Sequence, residues 1–492
     1  MNKRAEGLLL GGIVALAGLL RIPGLGRMGF EIDEAYSVRL ASLGIVDIVR
    51  GTAAGQHPPL YYLLLHLWMQ AAGQSLFAVR LASALVGWLT VPLLYLIGRR
   101  FGPQVGLLAA GLLAISPAHI WYSQIARMYA LLVLLGTVST WLAWRWWTDG
   151  EARSRKRLLL YAGITLAALH THYFALFLIA LHNLAGPGLA LFQNRPRWRR
   201  LAGQWLAIQA LIVIGFLPWL PIMLSQTTDH LMTWIPPLSW PVVRSSWLYL
   251  LFGQEWQGTS YDRGRAWFGL GLLIAALWPG RPSSDRLLRT DRGWAVLWFW
   301  VPVVLILLAA VYRPIYQNKQ LLIVLPPLLL LLTMGLLRIR PRVGRGVVLV
   351  ALIALSGLSL YSQYAHPQRQ QWDDLAAYLN THARPGDLLY LNAAASSLAL
   401  DCYLKVNLDR AGYPVEYDLV RGGWVGEDAT PEGVDRQLRP LADRHPRIWL
   451  VEFSPGFWDP EGLILTWLRG HYREQEYLRF YPATLRLFSK ES

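Results

Sequence analysis

Among 492 residues there is one cysteine, Cys402. A lone thiol excludes an internal disulfide and any metal site built from several cysteines. No internal repeat and no low-complexity tract occurs. No small-x-small cleavage site follows the first apolar run, residues 8–20, so that run reads as a retained span and not as a signal peptide. Acidic residues are few beside basic ones, 30 against 46, for a formal net charge of +16. On a soluble chain that excess points first to nucleic acid. Here the basic residues stand in short clusters between apolar runs, the pattern by which a multi-span protein orients itself, and nucleic acid is not expected as a partner.

What is abundant is apolar. Hydrophobic residues make up 54% of the chain, with a mean hydropathy of +0.33, which places it among membrane proteins. Many of the 24 tryptophans stand near the ends of apolar runs, among them Trp144, Trp146, Trp147, Trp294, Trp298 and Trp300. Indole favours the headgroup level, being apolar with one hydrogen-bonding edge.

A span needs roughly 20 apolar residues. Runs of that kind cover 8–22, 77–98, 104–120, 128–147, 202–224, 294–312, 319–337 and 346–363. The stretch 158–192 reads as two short spans meeting at the polar turn His170-Thr171-His172-Tyr173, and 265–279 adds a shorter candidate. The expectation is an α-helical polytopic protein with about eleven spans.

Basic clusters fall at Lys3 and Arg4; Arg99 and Arg100; Arg153, Arg155, Lys156 and Arg157; Arg195, Arg197, Arg199 and Arg200; Arg281, Arg286, Arg289 and Arg292; and Arg338, Arg340, Arg342 and Arg345. With these spans every cluster shares the side of the N-terminus, which the positive-inside rule assigns to the cytoplasm of a plasma-membrane protein. The other side receives 23–76, 119–127, 170–173, 225–264, 313–318 and everything beyond about 364. The run Leu60–Ala72 would invert this order if it spanned. Its mixture of Tyr61, Tyr62, His66, Trp68 and Gln70 suits a helix lying in the outer interface.

Two domains are expected: a transmembrane domain over 1–363 with its first outer loop at 23–76, and an extracytoplasmic α/β domain over 364–492. In the latter, helices are predicted at Asp373–Thr381, Pro431–His445 and Glu461–His471, and strands at Leu388–Leu391, Arg447–Phe453 and Thr484–Phe488.

The polar clusters that invite chemistry share the outer side. Glu31-Ile32-Asp33-Glu34-Ala35-Tyr36 follows the first span; carboxylates there serve as general base, as metal ligand, or simply as a solvated loop. In Gln56-His57-Pro58-Pro59 the prolines set the backbone before a helix, while His57 suits a phosphate or a metal. Ser116-Pro117 to Arg127-Met128-Tyr129 places a guanidinium at the start of an apolar run, matched to phosphate oxygens or else snorkelling to the interface. His170 and His172, two apart, do not share a helix face, which argues against a two-histidine metal site on one helix. Tyr316-Gln317-Asn318-Lys319 brings a lysine to the mouth of a span, for a phosphate, for a carboxylate, or snorkelling.

In order and spacing these motifs resemble the GT-C membrane glycosyltransferases, in the bacterial branch related to protein O-mannosyltransferases and lipid A aminoarabinose transferases. The resemblance rests on Phe30 to Tyr36, His57-Pro58-Pro59-Leu60, Ser116-Pro117 to Arg127-Met128-Tyr129, and Thr171-His172-Tyr173. The tail motifs Gln371-Trp372-Asp373-Asp374 and Arg384-Pro385-Gly386-Asp387 extend it over most of the chain. It implies an inverting enzyme that takes a sugar from a polyprenyl-phosphate donor and passes it to a lipid, glycan or protein acceptor. Asp33 is then the catalytic carboxylate, with Glu34 orienting acceptor or metal. Arg127, Tyr129, His57 and Lys319 are the candidates for the donor phosphate, and His172 and Tyr173 are further site candidates. Some relatives carry an acid and a lysine where Gln56 and His57 stand, and many carry Arg-Tyr where Lys319-Gln320 stands. A divalent metal is left open on that account. The rival readings are a transporter or flippase of lipid-linked sugars, which predicts related half-repeats and broken helices at the midplane, and a non-catalytic assembly subunit.

Overall fold

A computed structural model of the chain describes residues 2–148, 154–192, 198–228, 235–253, 260–277, 286–366, 369–412, 416–420, 423–425 and 430–490. Arg153, Arg195, Arg197 and Arg281 of the basic clusters lie outside the described residues. The chain divides into two compact units, Met1–Leu25 with Arg80–Pro367, and Gly26–Val79 with Gln368–Ser492.

The first unit is helical. Its main helices are Lys3–Arg21, Leu76–Gly98, Pro103–Ala114, Pro117–Ser123, Tyr129–Thr148, Arg155–Thr171, Ala175–Phe192, Trp198–Phe216, Ser260–Leu277, Arg286–Tyr312, Leu325–Leu336 and Arg342–Ala365. Each apolar run read from the sequence is thus helical within the described residues. Among the described residues, five helical stretches are long and apolar enough to cross a membrane: Leu76–Phe101, Arg199–Thr227, Thr290–Tyr312, Asn318–Leu336 and Arg342–Ala365. The pair Pro103–Ala114 and Pro117–Ser123, bent by 60°, makes a sixth if it is one span. The others fall short for physical reasons. Lys3–Arg21 carries Lys3, Arg4, Glu6 and Arg21, and Arg155–Thr171 has 17 residues. Burial sorts the spans: 94% of the apolar window of Asn318–Leu336 is buried, against 22% for Arg199–Thr227 and for Arg342–Ala365. The first is the inner element. The other two present Leu206, Val213, Val343 and Val350 outward, as lipid-facing helices do.

Several polar groups inside this unit are paired. The Arg21 guanidinium, fully buried, donates to the carbonyls of Leu113 (2.9 Å) and Ala114 (2.9 Å) at the end of the helix that breaks at Ser116-Pro117. Asp291 accepts from Arg100 and from the Trp144 indole, joining three helical segments. The segment 225–264, expected as a loop, contains the helix Trp240–Phe252. It ends at Gly253, whose φ of +67° and close approach to Pro117 (2.4 Å from a would-be Cβ) leave no room for a side chain.

The second unit combines three helices, Ile32–Ala41, Ile45–Ala54 and Leu60–Ala72, with an α/β layer. The strands are β1 (Leu388–Leu391), β2 (Asp409–Gly412), β3 (Glu416–Asp418), β4 (Gly423–Val425), β5 (Arg447–Phe453), β6 (Arg473–Phe480) and β7 (Ala483–Ser489). The main sheet runs β2-β1-β5-β7-β6, with β1 parallel to β2 and β5, and β7 antiparallel to β5 and β6; β3 and β4 form a separate hairpin. Leu388, Tyr390, Ile448, Leu450 and Phe488 face the helices Pro431–Ala442 and Leu463–His471 through Val434, Leu438, Ile464 and Leu468. On the opposite face Trp449 meets Tyr378 of the helix Trp372–His382. Side chains that alternate between the two faces of the central strands give each face an apolar set.

Candidate functional site

The sequence-predicted residues fall into two groups, one in each unit. In the second unit Asp33 stands, exposed, in the first turn of the helix Ile32–Ala41, where a carboxylate suits the positive end of the helix dipole. Its carbonyl accepts from Ser37 (2.9 Å). Glu34 is buried at 1% exposure, and its Oε2 accepts the Glu31 amide at 3.2 Å in a capping box. Glu34 thus helps to hold the start of the helix. His57 lies in the turn before the helix Leu60–Ala72. That turn passes close to the Asp33 helix: a Cβ on Gly55 would stand 2.9 Å from the Tyr36 hydroxyl. The Tyr36 and Tyr62 rings pack edge to face at 6.1 Å.

In the first unit Arg127 occupies the turn between Pro117–Ser123 and Tyr129–Thr148 and is 5% exposed. Tyr129, two residues on, is buried against Tyr122 at 5.1 Å and faces the His172 ring at 6.1 Å. Lys319 enters from the 3-10 turn Asn318–Val324, and its ammonium lies 5.6 Å from the Tyr129 ring centroid. His172 ends the helix Arg155–Thr171, and its Nδ1 accepts the Phe174 amide at 3.1 Å, which leaves the ring proton on Nε2. Burial first, then the charges of Lys319 and Arg127, hold this imidazole well below its ordinary value, at about 3. The ring is neutral at physiological pH and feels both cations. Tyr173 donates to Gln226 Oε1 (2.5 Å) and accepts from Trp219 Nε1 (2.9 Å), so its hydroxyl is held within the helical packing.

Arg127, Tyr129, His172 and Lys319 are thus one group, assembled from three separate stretches of chain. Two cations, a phenol and a neutral imidazole in a buried setting suit an anion such as a phosphate. Sequence reading missed Tyr122 and Tyr249, whose rings continue the aromatic wall beside Tyr129. Tyr122 lay within the quoted motif; Tyr249 lay in the segment taken for a loop. Among the described residues no three side chains of His, Cys, Asp and Glu converge as a metal site requires.

Comparison with known proteins bears on this arrangement. The dolichyl-phosphate-mannose-protein mannosyltransferase family matches residues 56–222. An undecaprenyl phosphate-α-4-amino-4-deoxy-L-arabinose arabinosyl transferase of Pseudomonas fluorescens is 28% identical over 348 residues, covering 63% of this chain and 53% of that protein. One of Pseudomonas aeruginosa is 28% identical over 393 residues, covering 72% and 65%. The matches therefore span between about half and two-thirds of the length of these relatives. Among solved structures, ArnT of Cupriavidus metallidurans, crystallised in the apo state and bound to undecaprenyl phosphate, superposes with a TM-score of 0.59 in both forms. The apo form covers 98% of this chain and 97% of its own, at 14% identity. The oligosaccharyltransferase of Archaeoglobus fulgidus superposes with a TM-score of 0.57 at 11% identity, covering 96% of this chain and 72% of its own. The chain has the fold of these solved proteins, and the resemblance read from its motifs is matched by its similarity to the mannosyltransferase family over residues 56–222 and to the aminoarabinosyl transferases.

Proposed function

We propose that this chain is an inverting glycosyltransferase that moves a sugar from a polyprenyl-phosphate donor to an acceptor hydroxyl at the extracytoplasmic face of the plasma membrane. The observation that carries the reading is the gathering of Arg127 and Lys319 around Tyr129 and His172. The leaving group of such a reaction is a phosphate, and preorganised cations stabilise the charge that develops on it. Arg127 offers a planar fork to phosphate oxygens, Lys319 a point charge, and Tyr129 a hydroxyl. His57 is a further phosphate or acceptor contact. Asp33 acts as general base: it takes the acceptor hydroxyl's proton as that oxygen attacks the anomeric carbon and the carbon–phosphate oxygen bond breaks. The aminoarabinosyl donors named for the relatives make a pentosyl phosphate the first donor to try. The reading includes about eleven spans, a cytoplasmic N-terminus, and Asp33 and the α/β layer outside the cytoplasm.

The test is sugar transfer by the purified full-length protein in detergent, from a panel of radiolabelled polyprenyl-phosphate sugars to a membrane extract, each assay paired with Asp33→Asn. Transfer that disappears in the variant, with donor binding retained, is expected, and the labelled product identifies the acceptor. Transfer undiminished in the variant overturns the role of Asp33. Donor bound and carried across sealed vesicles without reaction replaces the enzyme with a transporter.

A further inference from the structure

We propose that Gln370 and Tyr403 are positioning residues for Asp33, an inference that rests on the general-base reading of that carboxylate. Residues 29–31, which lead into the helix of Asp33, belong to no helix or strand, so amides there take side-chain partners. The Phe30 amide donates to the Tyr403 hydroxyl oxygen at 2.7 Å, and the Ile32 amide donates to Gln370 Oε1 at 2.8 Å. Ile32 opens the helix, and its amide is one of the donors that a helix start leaves without a partner. Gln370 thus supplies, from 338 residues away, an acceptor for the first helical amide, beside the Glu31–Glu34 capping box that serves the amides of Glu31 and Glu34.

The two acceptors are themselves held. Gln370 Oε1 also accepts the indole of Trp372 at 2.7 Å, and Trp372 is buried against Phe453. The Tyr403 carbonyl accepts from Asn380 (3.1 Å), whose side-chain oxygen accepts the amides of Lys405 (2.7 Å) and Val406 (3.1 Å). The contact is close as well as polar, since a Cβ on Gly29 would stand 2.9 Å from Asp373 Cγ. At the far end of the same helix Arg39 pairs with Asp401 at 2.8 Å. The helix bearing Asp33 is fastened at both ends to residues 369–403, and the backbone of its first turn is set by them.

The experiment uses the full-length protein with Gln370→Ala, Gln370→Glu, Tyr403→Phe and Asp33→Asn, singly and with Gln370→Ala combined with Asp33→Asn. Hydrogen exchange at the amides of residues 30–34 is expected to quicken in Gln370→Ala and Tyr403→Phe. Under the sugar-transfer assay Gln370→Ala is expected to lower kcat by about 10- to 100-fold with the KM for donor little changed, since misplacing a reacting group by about 1 Å has that effect. Gln370→Glu keeps an acceptor oxygen and is expected to restore most of kcat. Gln370→Ala is expected to add nothing in the Asp33→Asn background, because it acts through that carboxylate. Unchanged exchange, unchanged kcat, no restoration by Glu, or an additive double variant each overturns the proposal. Should the wild-type protein transfer no sugar, positioning falls together with the enzyme reading, and quickened exchange identifies that outcome as the failure of the function and not of the clamp.

Discussion

The Lys319 ammonium lies over the Tyr129 ring, 5.6 Å from its centroid, and joins two segments 190 residues apart; the His172 ring stands 6.1 Å from the same ring. A cation so held is oriented before any ligand arrives. Lys319→Gln is expected to weaken binding of a polyprenyl phosphate by ~10-fold or more, the range set by losing a charge-assisted hydrogen bond. Lys319→Arg is expected to keep most of the affinity. Fluorescence titration with a labelled polyprenyl phosphate decides it, and equal binding by all three proteins removes Lys319 from the phosphate contacts.

His172 links stability to pH. Its folded value, about 3, lies below the ordinary 6.5. The unfolded chain therefore takes up a proton as pH falls below about 6.5 while the folded protein does not. The stabilisation is complete above that value and is lost progressively as pH drops toward 3. Unfolding temperatures measured in detergent at descending pH are expected to fall more steeply for the wild-type protein than for His172→Gln. Parallel curves would sink the assignment.

Gly29 faces the Asp373 carboxylate with no space for a methyl group. Gly29→Ala is expected to destabilise the protein by about 1–3 kcal/mol, the usual effect of overpacking. With Asp373→Ala the two effects should sum to less than their separate values, because the clash goes when the carboxylate goes. Chemical denaturation of the four proteins measures the coupling; strict additivity speaks against the contact.

Arg21 closes the helix break that precedes Ser116. Its replacement by Met removes the guanidinium donor from the Leu113 and Ala114 carbonyls, of which Leu113 keeps the Ser116 amide at 3.3 Å. Each such loss costs about 1–3 kcal/mol. The expected result is a lower melting temperature in detergent. A variant as stable as the wild type would mean that water or a lipid headgroup replaces the guanidinium.

The helices were legible wherever apolar length alone decides. The run near 128–147 became Tyr129–Thr148, and 346–363 lies within Arg342–Ala365. In the α/β layer Leu388–Leu391 and Arg447–Phe453 are strands as read, since both are apolar and central. The edge strands β2 and β6 were not read. Their residues are largely charged, as Asp409-Arg410 and Arg473-Glu474-Gln475-Glu476 illustrate, because edge strands face water and carry no clean apolar alternation. The helix expected from Glu461 starts at Leu463, because Gly462 takes a left-handed conformation and the Asp459 carboxylate caps the amides of Leu463 and Ile464. Of the site, the residue types and their order were readable, but the use of Glu34 as a cap was not: one acid beside another looks the same in a sequence whichever of them is buried.

The sequence by itself determined that this chain is helical and apolar in long runs, that its basic residues cluster between them, and which polar motifs interrupt them. Those properties follow from local composition and from periodicity within a single element. Only the tertiary structure decided that Gly26–Val79 folds with Gln368–Ser492, that Asn318–Leu336 is an inner helix, and that Lys319 meets Tyr129. It alone made Gln370 the partner of the Ile32 amide. Such pairings join residues hundreds of positions apart, and they are set by which buried polar groups must find one another once the apolar surfaces have packed.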